Sequence, residues 1–465
     1  MWQVVMVKPI QAVLVSLLVL AVARSGASTA PYPRVWNCQG QSGNGAPLIP
    51  GRDYHGTRDE LAITNYSRFP LALLSISPWG NVRGVHRGDV IARIRANQPG
   101  IKLIAYTITQ GWFHPPTLVP GPRDSTFYAD WQNTFRATDL NPTSAWVYLL
   151  SPPHTADSTV LIHDFNWGNP VFQDSLTKLF IRAMRLTDST GHAQFDGIFL
   201  DTYERRVSQY MNDNGPSWAW SHEGEPDLVR GGYASKAAMD TAFTHGLVAT
   251  VNQIRAAMGP DFLIFANTGT HTDPYDLSTG YGVDGLVREL FMVSPTNDFS
   301  HARAFIQQVF PTYKLLKGEL TVPSAPRGAT SCKQARYILG TSCLGDGWAF
   351  LSADGAKDPM AYYDEYSVNE AGASDTTGKH VGWLGQPRGP ARVTGGLWVR
   401  EFDHGMVLVD SAFVSQSIDL GSSDFRSIQG VVDTTVNDGR AKRLVTVPGQ
   451  DAVFLWKPSF GNDAR

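Results

Sequence analysis

Short apolar runs recur along the chain between residues 68 and 351, separated by longer segments of mixed composition. Continuous apolar runs are typical of strands that are buried on both faces of a parallel sheet. Several of the segments between them carry apolar residues at helical spacing, which indicates βαβ units. The pattern predicts strands at residues 70–77, 102–108, 144–150, 160–165, 195–201, 262–267, 285–293, 314–320 and 347–351, and helices at 87–97, 173–185 and 236–258.

About eight such strands in roughly 320 residues predict a (β/α)8 TIM barrel, an α/β fold. We assign it to residues 31–385. A doubly wound open sheet is the alternative, but the chain contains no glycine-rich dinucleotide or phosphate-loop motif.

The pattern changes near residue 390, after a segment rich in glycine and proline at 372–390. Short strands separated by turn residues then predict a small C-terminal antiparallel β-sandwich domain over residues 391–460. Its predicted strands cover residues 396–402, 406–410, 417–420, 430–432, 443–447 and 452–456.

Composition excludes several classes of protein. Hydrophobic residues make up 42% of the 465 residues and charged residues 17%, a balance that can bury a substantial core. The net charge of −3 leaves no basic excess for a polyanion, so no nucleic-acid partner is expected. Three cysteines cannot build a disulfide scaffold or a four-thiolate zinc site. The 12 histidines contain no His-x-x-x-His pair, so neither a metal nor a cofactor is expected.

The start of the chain has the pattern of a secretory signal peptide. Lys8 precedes an apolar run, Ile10–Val22, and small residues follow as far as Ala30. We therefore expect residues 1–30 to be removed and the mature protein to be secreted, extracellular or periplasmic, without membrane association. A membrane anchor is the alternative, although the run is short for a span of ~20 residues.

Two of the cysteines flank a segment with a helical pattern. Cys332 and Cys343 are 11 positions apart, or ~16 Å on a continuous helix, whereas a disulfide requires Cα atoms within ~7 Å. Either the helix ends early or both thiols are unpaired. Cys38 could reach one of them.

The active site of a TIM barrel lies at the carboxyl ends of its strands, so polar residues that close apolar runs are candidates. Carboxylates dominate this set, and glycoside hydrolysis requires a pair of them in different environments. Asp346, Asp364 and Glu365 also meet the criterion. The candidates for substrate binding are Trp79, Asp164, Asn166, Trp167, Tyr203, Glu204, Asn267 and Arg288.

Two acids are the candidates for catalysis. Asp201 closes the strand at 195–201, although Asp201 and Glu204 also fit the pattern of a helix N-cap. Glu289 lies in a strongly apolar segment, where a charge must be paired or functional. Its alternative is a surface pair with Arg288 on a helix.

The segment Phe195–Asp201 resembles the FDGIFLD strand of secreted glycosyl hydrolases with a (β/α)8 barrel, a group similar to endo-α-1,4-polygalactosaminidase-like and α-galactosidase-like barrels. The resemblance covers residues 68–458. Further segments match this group in the expected order, at residues 102–106, 163–170, 265–267, 283–289, 344–348, 362–366 and 396–409.

The resemblance implies that Asp201 is the nucleophile or base and that Glu289 is the acid. Many relatives have Asn after the strand Asp, whereas this chain has Thr202. We expect a monomeric, secreted glycoside hydrolase with a poly- or oligosaccharide substrate. Two alternatives remain open, a catalytically silent carbohydrate-binding barrel and a polysaccharide lyase.

Overall fold

The computed structural model describes residues 29–37, 63–75, 88–108, 111–113, 162–164, 166–201, 203, 228, 232–267, 282–291, 295–309, 311–319, 329–352, 362–422 and 424–458. Its strands are β1 Leu71–Ser75, β2 Lys102–Ile108, β3 Gly111–Phe113, β4 Ile162–Asp164, β5 Gly197–Asp201, β6 Leu263–Asn267, β7 Gly285–Phe291, β8 Tyr313–Glu319, β9 Gly347–Ser352, β10 Arg392–Thr394, β11 Leu397–Glu401, β12 Gly405–Asp410, β13 Gln416–Asp419, β14 Phe425–Ser427, β15 Ala441–Lys442, β16 Leu444–Val447 and β17 Asp451–Trp456. Its helices are α1 Gly88–Asn97, α2 Pro170–Met184, α3 Lys236–Met258, α4 Pro295–Ile306 and α5 Ala329–Cys343, and a 3₁₀ turn covers Asp364–Tyr366.

Seven strands form one parallel sheet in the order β1-β2-β5-β6-β7-β8-β9. The helices between them confirm the predicted βαβ pattern. The strand predicted at residues 160–165 does not belong to this sheet, because β4 pairs antiparallel with β3 in a separate ribbon. The strand predicted at residues 144–150 lies outside the described residues.

A short N-terminal segment connects the two edge strands of this sheet. The Trp36 amide donates to the Ala349 carbonyl of β9 at 3.2 Å, and the Asn37 amide donates to the Leu71 carbonyl of β1 at 2.9 Å. Both bridges are parallel. The apolar pattern did not predict this segment, because only the few residues 34–37 bond to the two strands.

Side chains alternate between two apolar layers along the parallel strands, as strand geometry requires. One layer packs against the helices and contains, for example, Ile198 and Leu200 of β5. The other layer lies on the opposite face of the curled sheet, which we call the interior. Its buried members are Trp36, Leu71, Leu73, Ile104, Tyr106, Phe199, Phe265, Val287, Leu315, Trp348 and Phe350.

Asp-Gly pairs mark the amino ends of β5 and β7. The Asp196 carboxylate accepts from the Leu103 amide at 2.9 Å and from Arg95 of α1 at 3.0 Å. The following Gly197 is required by packing, since a Cβ there would lie 2.3 Å from the Leu263 carbonyl oxygen. Asp196 thus anchors the strand at the end opposite Asp201.

The same arrangement recurs two strands later along the chain, before β7. Asp284 accepts from the Ile264 amide at 2.8 Å and from Arg255 of α3 at 2.5 Å. A Cβ on Gly285 would lie 2.7 Å from the Phe265 ring. The two Asp-Gly pairs therefore fix the register of neighbouring strands through side-chain bonds to backbone amides.

Helix α5 is continuous from Ala329 to Cys343, so its two cysteines are too far apart to pair. Both thiols are free and buried, which settles the choice that the spacing left open. Burial raises the pKa of each thiol to about 12. Cys38 lies outside the described residues.

We expect neither Cys332 nor Cys343 to react with a thiol reagent in the native protein at pH 8, because the thiolate is the reactive form and both groups are buried. Titration of a Cys38→Ser variant with a chromogenic disulfide should release no chromophore until denaturant is added. One equivalent released without denaturant would contradict the burial of one of these thiols.

The C-terminal residues form a six-stranded antiparallel sheet, β10-β11-β12-β17-β14-β15, and a two-stranded sheet, β13-β16. One face of the larger sheet, including Val407 and Phe454, packs with α5 residues such as Ile338. Its other face, including Leu408 and Leu455, packs with the smaller sheet. The central strands β12 and β17 are therefore buried on both sides.

The strand predicted at residues 430–432 is wrong. The amides of Val431 and Val432 donate to the Asp364 carboxylate at 2.9 Å and 3.1 Å. The Asp433 amide donates to the same carboxylate at 2.8 Å. Three consecutive amides that bind one carboxylate cannot enter a strand ladder, and the strand lies earlier, at Phe425–Ser427.

A buried ionic network joins α5 to the antiparallel sheet. Arg336 makes two bonds to Asp451, at 2.9 Å and 2.8 Å, and a third to Asp433 at 2.5 Å. Glu365 accepts from Asn437 at 2.6 Å. Burial raises the pKa of Glu365 to about 7, opposed by Arg336 and assisted by Asp364.

Stability is expected to fall as pH rises from about 4.5 to 7 because of Glu365. A carboxyl whose pKa is raised by folding stabilises the native state below its unfolded pKa, and this contribution is lost as it ionises. Glu365→Gln mimics the protonated form and should remove about 1–3 kcal/mol of this decline. Urea unfolding at pH 5 and pH 8 measures the difference, with Glu401→Gln as a more exposed control. Equal pH dependence in the parent and Glu365→Gln would contradict the prediction.

None of the helices in the described ranges combines the length and apolar character needed to cross a bilayer.

Candidate active site

Asp201 is the last residue of β5, at the carboxyl end of the parallel sheet. Phe199, two residues earlier, belongs to the interior layer. Alternation along the strand therefore places Asp201 on the same face, above the apolar core. Its side chain is half-buried, so it is accessible while it is held by the protein.

The two neighbouring strands hold the Asp201 carboxylate. The Tyr106 hydroxyl of β2 donates to Oδ2. The Asn267 side-chain amide of β6 donates to Oδ1 at 2.7 Å. Because β2 and β6 flank β5 in the sheet, three adjacent strands converge on one carboxylate.

Glu289 lies on β7, so the alternative of a helix-surface pair with Arg288 is wrong. The register between β7 and β8 shifts at this point. Arg288 lies opposite Leu316 and Phe291 lies opposite Gly318, so residues 289 and 290 together oppose Lys317. Irregularities of this kind are common next to active sites. Only the backbone of Glu289 belongs to the described part of the chain.

Two predicted substrate-binding residues are buried away from solvent. Asn166 is 2% exposed and its Oδ1 accepts a hydrogen bond from the Tyr233 hydroxyl. Trp167 is 3% exposed, belongs to the helix-facing layer, and lies 6.2 Å from Phe172 between ring centroids. Burial also raises the pKa of Tyr233 to about 12. These surroundings favour packing roles for both residues over contact with a sugar.

The remaining substrate-binding candidates fall into two groups, those that the structure describes and those that lie outside the described residues. Asn267 contacts Asp201 directly, as described above. Tyr203 is buried, and its amide donates to the Asn267 carbonyl at 2.7 Å, which ties the segment after β5 to β6. Arg288 is half-buried on β7. Trp79 and Glu204 lie outside the described residues, as does the side chain of Asp164.

Sequence reasoning missed two residues of this face. Tyr106 ends the apolar run of β2, and its ring stacks on Phe199 with centroids 5.5 Å apart. Lys317 follows the interior residue Leu315 by two positions on β8 and is half-buried. Strand alternation applied to each apolar run could have found both, because each shares the parity of an interior residue.

Three further acids from the sequence criterion lie elsewhere. Asp346 precedes β9 at the amino end of the sheet, where it contacts Arg34 and, at 3.4 Å, Lys314. Asp364 and Glu365 are buried against the antiparallel sheet, as described above. An apolar run does not reveal which of its ends faces the site, so the criterion selected residues at both ends. Among the described residues, no group of three or more His, Cys, Asp or Glu side chains is arranged to hold a metal ion.

Comparisons with known proteins leave the family open. The chain matches no protein-family model and no curated protein. Among solved structures it is similar to Amy13B of Eubacterium rectale, with 9% identity, a TM-score of 0.48, and coverage of 93% of this chain and 96% of that one. It is also similar to the type III pullulan hydrolase from Thermococcus kodakarensis, with 12% identity, a TM-score of 0.44 and coverage of 92% and 76%.

A third similar structure is the GH36 α-galactosidase AgaA from Geobacillus stearothermophilus. The identity is 9% and the TM-score 0.44, and the match covers 92% of this chain but 56% of that one. Because these TM-scores are below 0.5, we draw no conclusion about substrate or mechanism from the similarities.

Proposed function

We propose that the protein is a glycoside hydrolase that cleaves O-glycosidic bonds of a poly- or oligosaccharide, with Asp201 as nucleophile or base and Glu289 as acid. The observation that carries this function is the Asp201 carboxylate at the carboxyl end of β5, held by Tyr106 and Asn267. Glu289 lies on β7, two positions along the sheet from β5. A pair of carboxylates on nearby strands is what the reaction requires.

We further infer that the parallel strands close into an eight-membered barrel, with residues 35–37 as the eighth element. The bonds of Trp36 to β9 and of Asn37 to β1 support this closure. We also infer that the two antiparallel sheets form a C-terminal sandwich, supported by the apolar cluster between them. In such a barrel, Asp201 faces the mouth at which TIM-barrel enzymes bind substrate.

Secretion remains a proposal supported by the sequence alone. Removal of residues 1–30 would leave in place residues 35–37, which bond to the edge strands. It would remove the carbonyls of Thr29 and Ala30 that accept from Gln386 and Arg34. Expression of the full chain, followed by amino-terminal sequencing of protein in the medium, tests this proposal. Material that stays in the membrane fraction with residues 1–30 attached would favour the anchor alternative.

A reducing-end assay on a panel of neutral, amino and acidic polysaccharides tests the proposed activity. We expect new reducing ends with the purified parent chain and none with Asp201→Asn on the same substrate. Binding to a polysaccharide without release would favour the silent barrel. No binding and no release across the panel would contradict the proposal.

A polysaccharide lyase is the second candidate, because Tyr106 and Lys317 are residue types that a lyase uses as base and cation. Both share strand parity with interior residues. Lyase action leaves an unsaturated uronate that absorbs in the ultraviolet, whereas hydrolysis does not. Product absorbance on the acidic polysaccharides would therefore favour the lyase, and reducing ends without absorbance would favour the hydrolase.

A further inference from the structure

We propose that Tyr106 is a positioning residue of this site: its hydroxyl, together with the Asn267 amide, holds Asp201 in one orientation and in its ionised form. This role deepens the proposed hydrolase function and presupposes it. It assigns to β2 a part in the site that neither the spacing of the acids nor the apolar pattern indicated.

The Tyr106 side chain is itself fixed. Its ring stacks on Phe199 at an interplanar angle of 23° and is 7% exposed. Phe199 and Asp201 lie on the same face of β5, and Tyr106 lies opposite Phe199 in the register of β2 and β5. The ring is thus supported on the residue that precedes Asp201 on that face, which leaves the hydroxyl directed at the carboxylate.

The Asn267 amide is fixed in a similar way from the other side. Asn267 is 4% exposed, and its backbone carbonyl accepts from the Tyr203 amide at 2.7 Å. Its donation to Asp201 therefore comes from a strand end that is tied down by a second bond. Among the described residues, Tyr106 donates to one oxygen of Asp201 and Asn267 to the other, from the two neighbouring strands.

Two donors on one carboxyl group select its charge. A phenol hydroxyl and an amide both donate, and both are neutral near pH 7, so they stabilise a carboxylate more than a protonated carboxylic acid. A group held in this way is suited to attack carbon or to accept a proton from water, and unsuited to protonate a leaving oxygen. Tyr106 thereby excludes Asp201 from the acid role and leaves that role to the second carboxylate.

Tyr106→Phe is the first test variant, because it keeps the stacked ring and removes only the hydroxyl. Asn267→Leu removes the other donor and keeps a side chain that branches at Cγ. Tyr313→Phe is the matched control, since Tyr313 packs on interior residues Phe265 and Trp348 but lies at the amino end of β8. Thermal unfolding establishes which variants are folded before any comparison.

The ionisation of Asp201 can be measured without any substrate. With aspartate labelled by ¹³C at Cγ, the Asp201 resonance is the one that disappears in Asp201→Asn. We expect its titration midpoint to rise by about one pH unit in Tyr106→Phe and in Asn267→Leu, and to stay unchanged in Tyr313→Phe. An unchanged midpoint in both donor variants would overturn the proposal.

Kinetics provide the second measurement on any substrate identified by the panel. We expect kcat of Tyr106→Phe to fall by about tenfold or more with KM nearly unchanged, and the acid limb of kcat/KM to move upward with the Asp201 midpoint. A purely structural role would leave that limb in place, which would also overturn the proposal. A shifted titration midpoint of Asp201 in a protein that cleaves no substrate would support the positioning of Asp201 by Tyr106. It would also reject the hydrolase function.

Discussion

Asp201→Asn is expected to fold like the parent chain and to lose about 10²-fold or more in kcat, the scale of a missing positioned acid or base. The substitution keeps the shape of the side chain and removes its charge. Because Asn has one oxygen, one of the two donors, Tyr106 or Asn267, loses its acceptor, which costs about 1–2 kcal/mol of stability. Activity on the substrate found by the panel, with thermal unfolding alongside, measures both effects.

Asp196→Asn is the matched control. It makes the same chemical change next to the same strand, but at the amino end, where Asp196 contacts Arg95 and the Leu103 amide. We expect it to lower stability and to leave kcat close to that of the parent. Parent-like turnover in a folded Asp201→Asn would remove Asp201 from the catalytic machinery.

Glu289→Gln should lower kcat by a similar factor if Glu289 is the second acid. The double variant with Asp201→Asn should lose little more than the worse single variant, because groups that act as one unit are not additive. Independent, multiplying losses would indicate that the two acids do not serve one reaction.

Arg336→Met is expected to destabilise the protein by about 3–5 kcal/mol, the cost of leaving a buried charge without its partner. Arg336 is 3% exposed and binds Asp451, which is 1% exposed, through two hydrogen bonds. The same substitution removes the bond to Asp433. Urea unfolding at pH 7 measures the change in the free energy of unfolding.

Arg392→Met provides the comparison, because Arg392 forms an exposed pair with Glu401 at 2.7 Å. Loss of an exposed pair costs about 0–1 kcal/mol. Adding Asp451→Met to Arg336→Met should recover part of the loss, since the uncompensated carboxylate is then gone. If Arg336→Met cost no more than Arg392→Met, the buried network would contribute nothing to stability.

The position of most strands could be predicted because each is a continuous apolar run with a turn residue at its end. The run ending at Asp201 and the helix from Lys236 to Met258 are examples, and the structure confirms both within two residues. The segment at 35–37 could not be predicted in this way. It is held by backbone bonds to Ala349 and Leu71, which lie far from it in sequence.

The candidate site was predicted in part. Asp201 was selected as a candidate because it interrupts an apolar pattern at a strand end. Tyr106 and Lys317 were missed because the aromatic ring of Tyr106 and the aliphatic part of Lys317 both fit the composition of a buried strand. Trp167 was expected to bind substrate, but a tryptophan after a strand can equally pack beneath the helices, as it does here against Phe172.

The sequence alone determined the order of most strands and helices and the change to antiparallel structure near residue 390. It also determined that a carboxylate follows the apolar run of β5. These features depend on the spacing of apolar and polar residues, a pattern that is visible over a few neighbouring positions. Tertiary structure decided which strand ends lie together, that α5 keeps Cys332 and Cys343 apart, and that Tyr106 and Asn267 both bind Asp201. The first and the last depend on the register between strands distant in sequence, which is set by packing over the whole sheet. The separation of the cysteines depends on the continuity of α5.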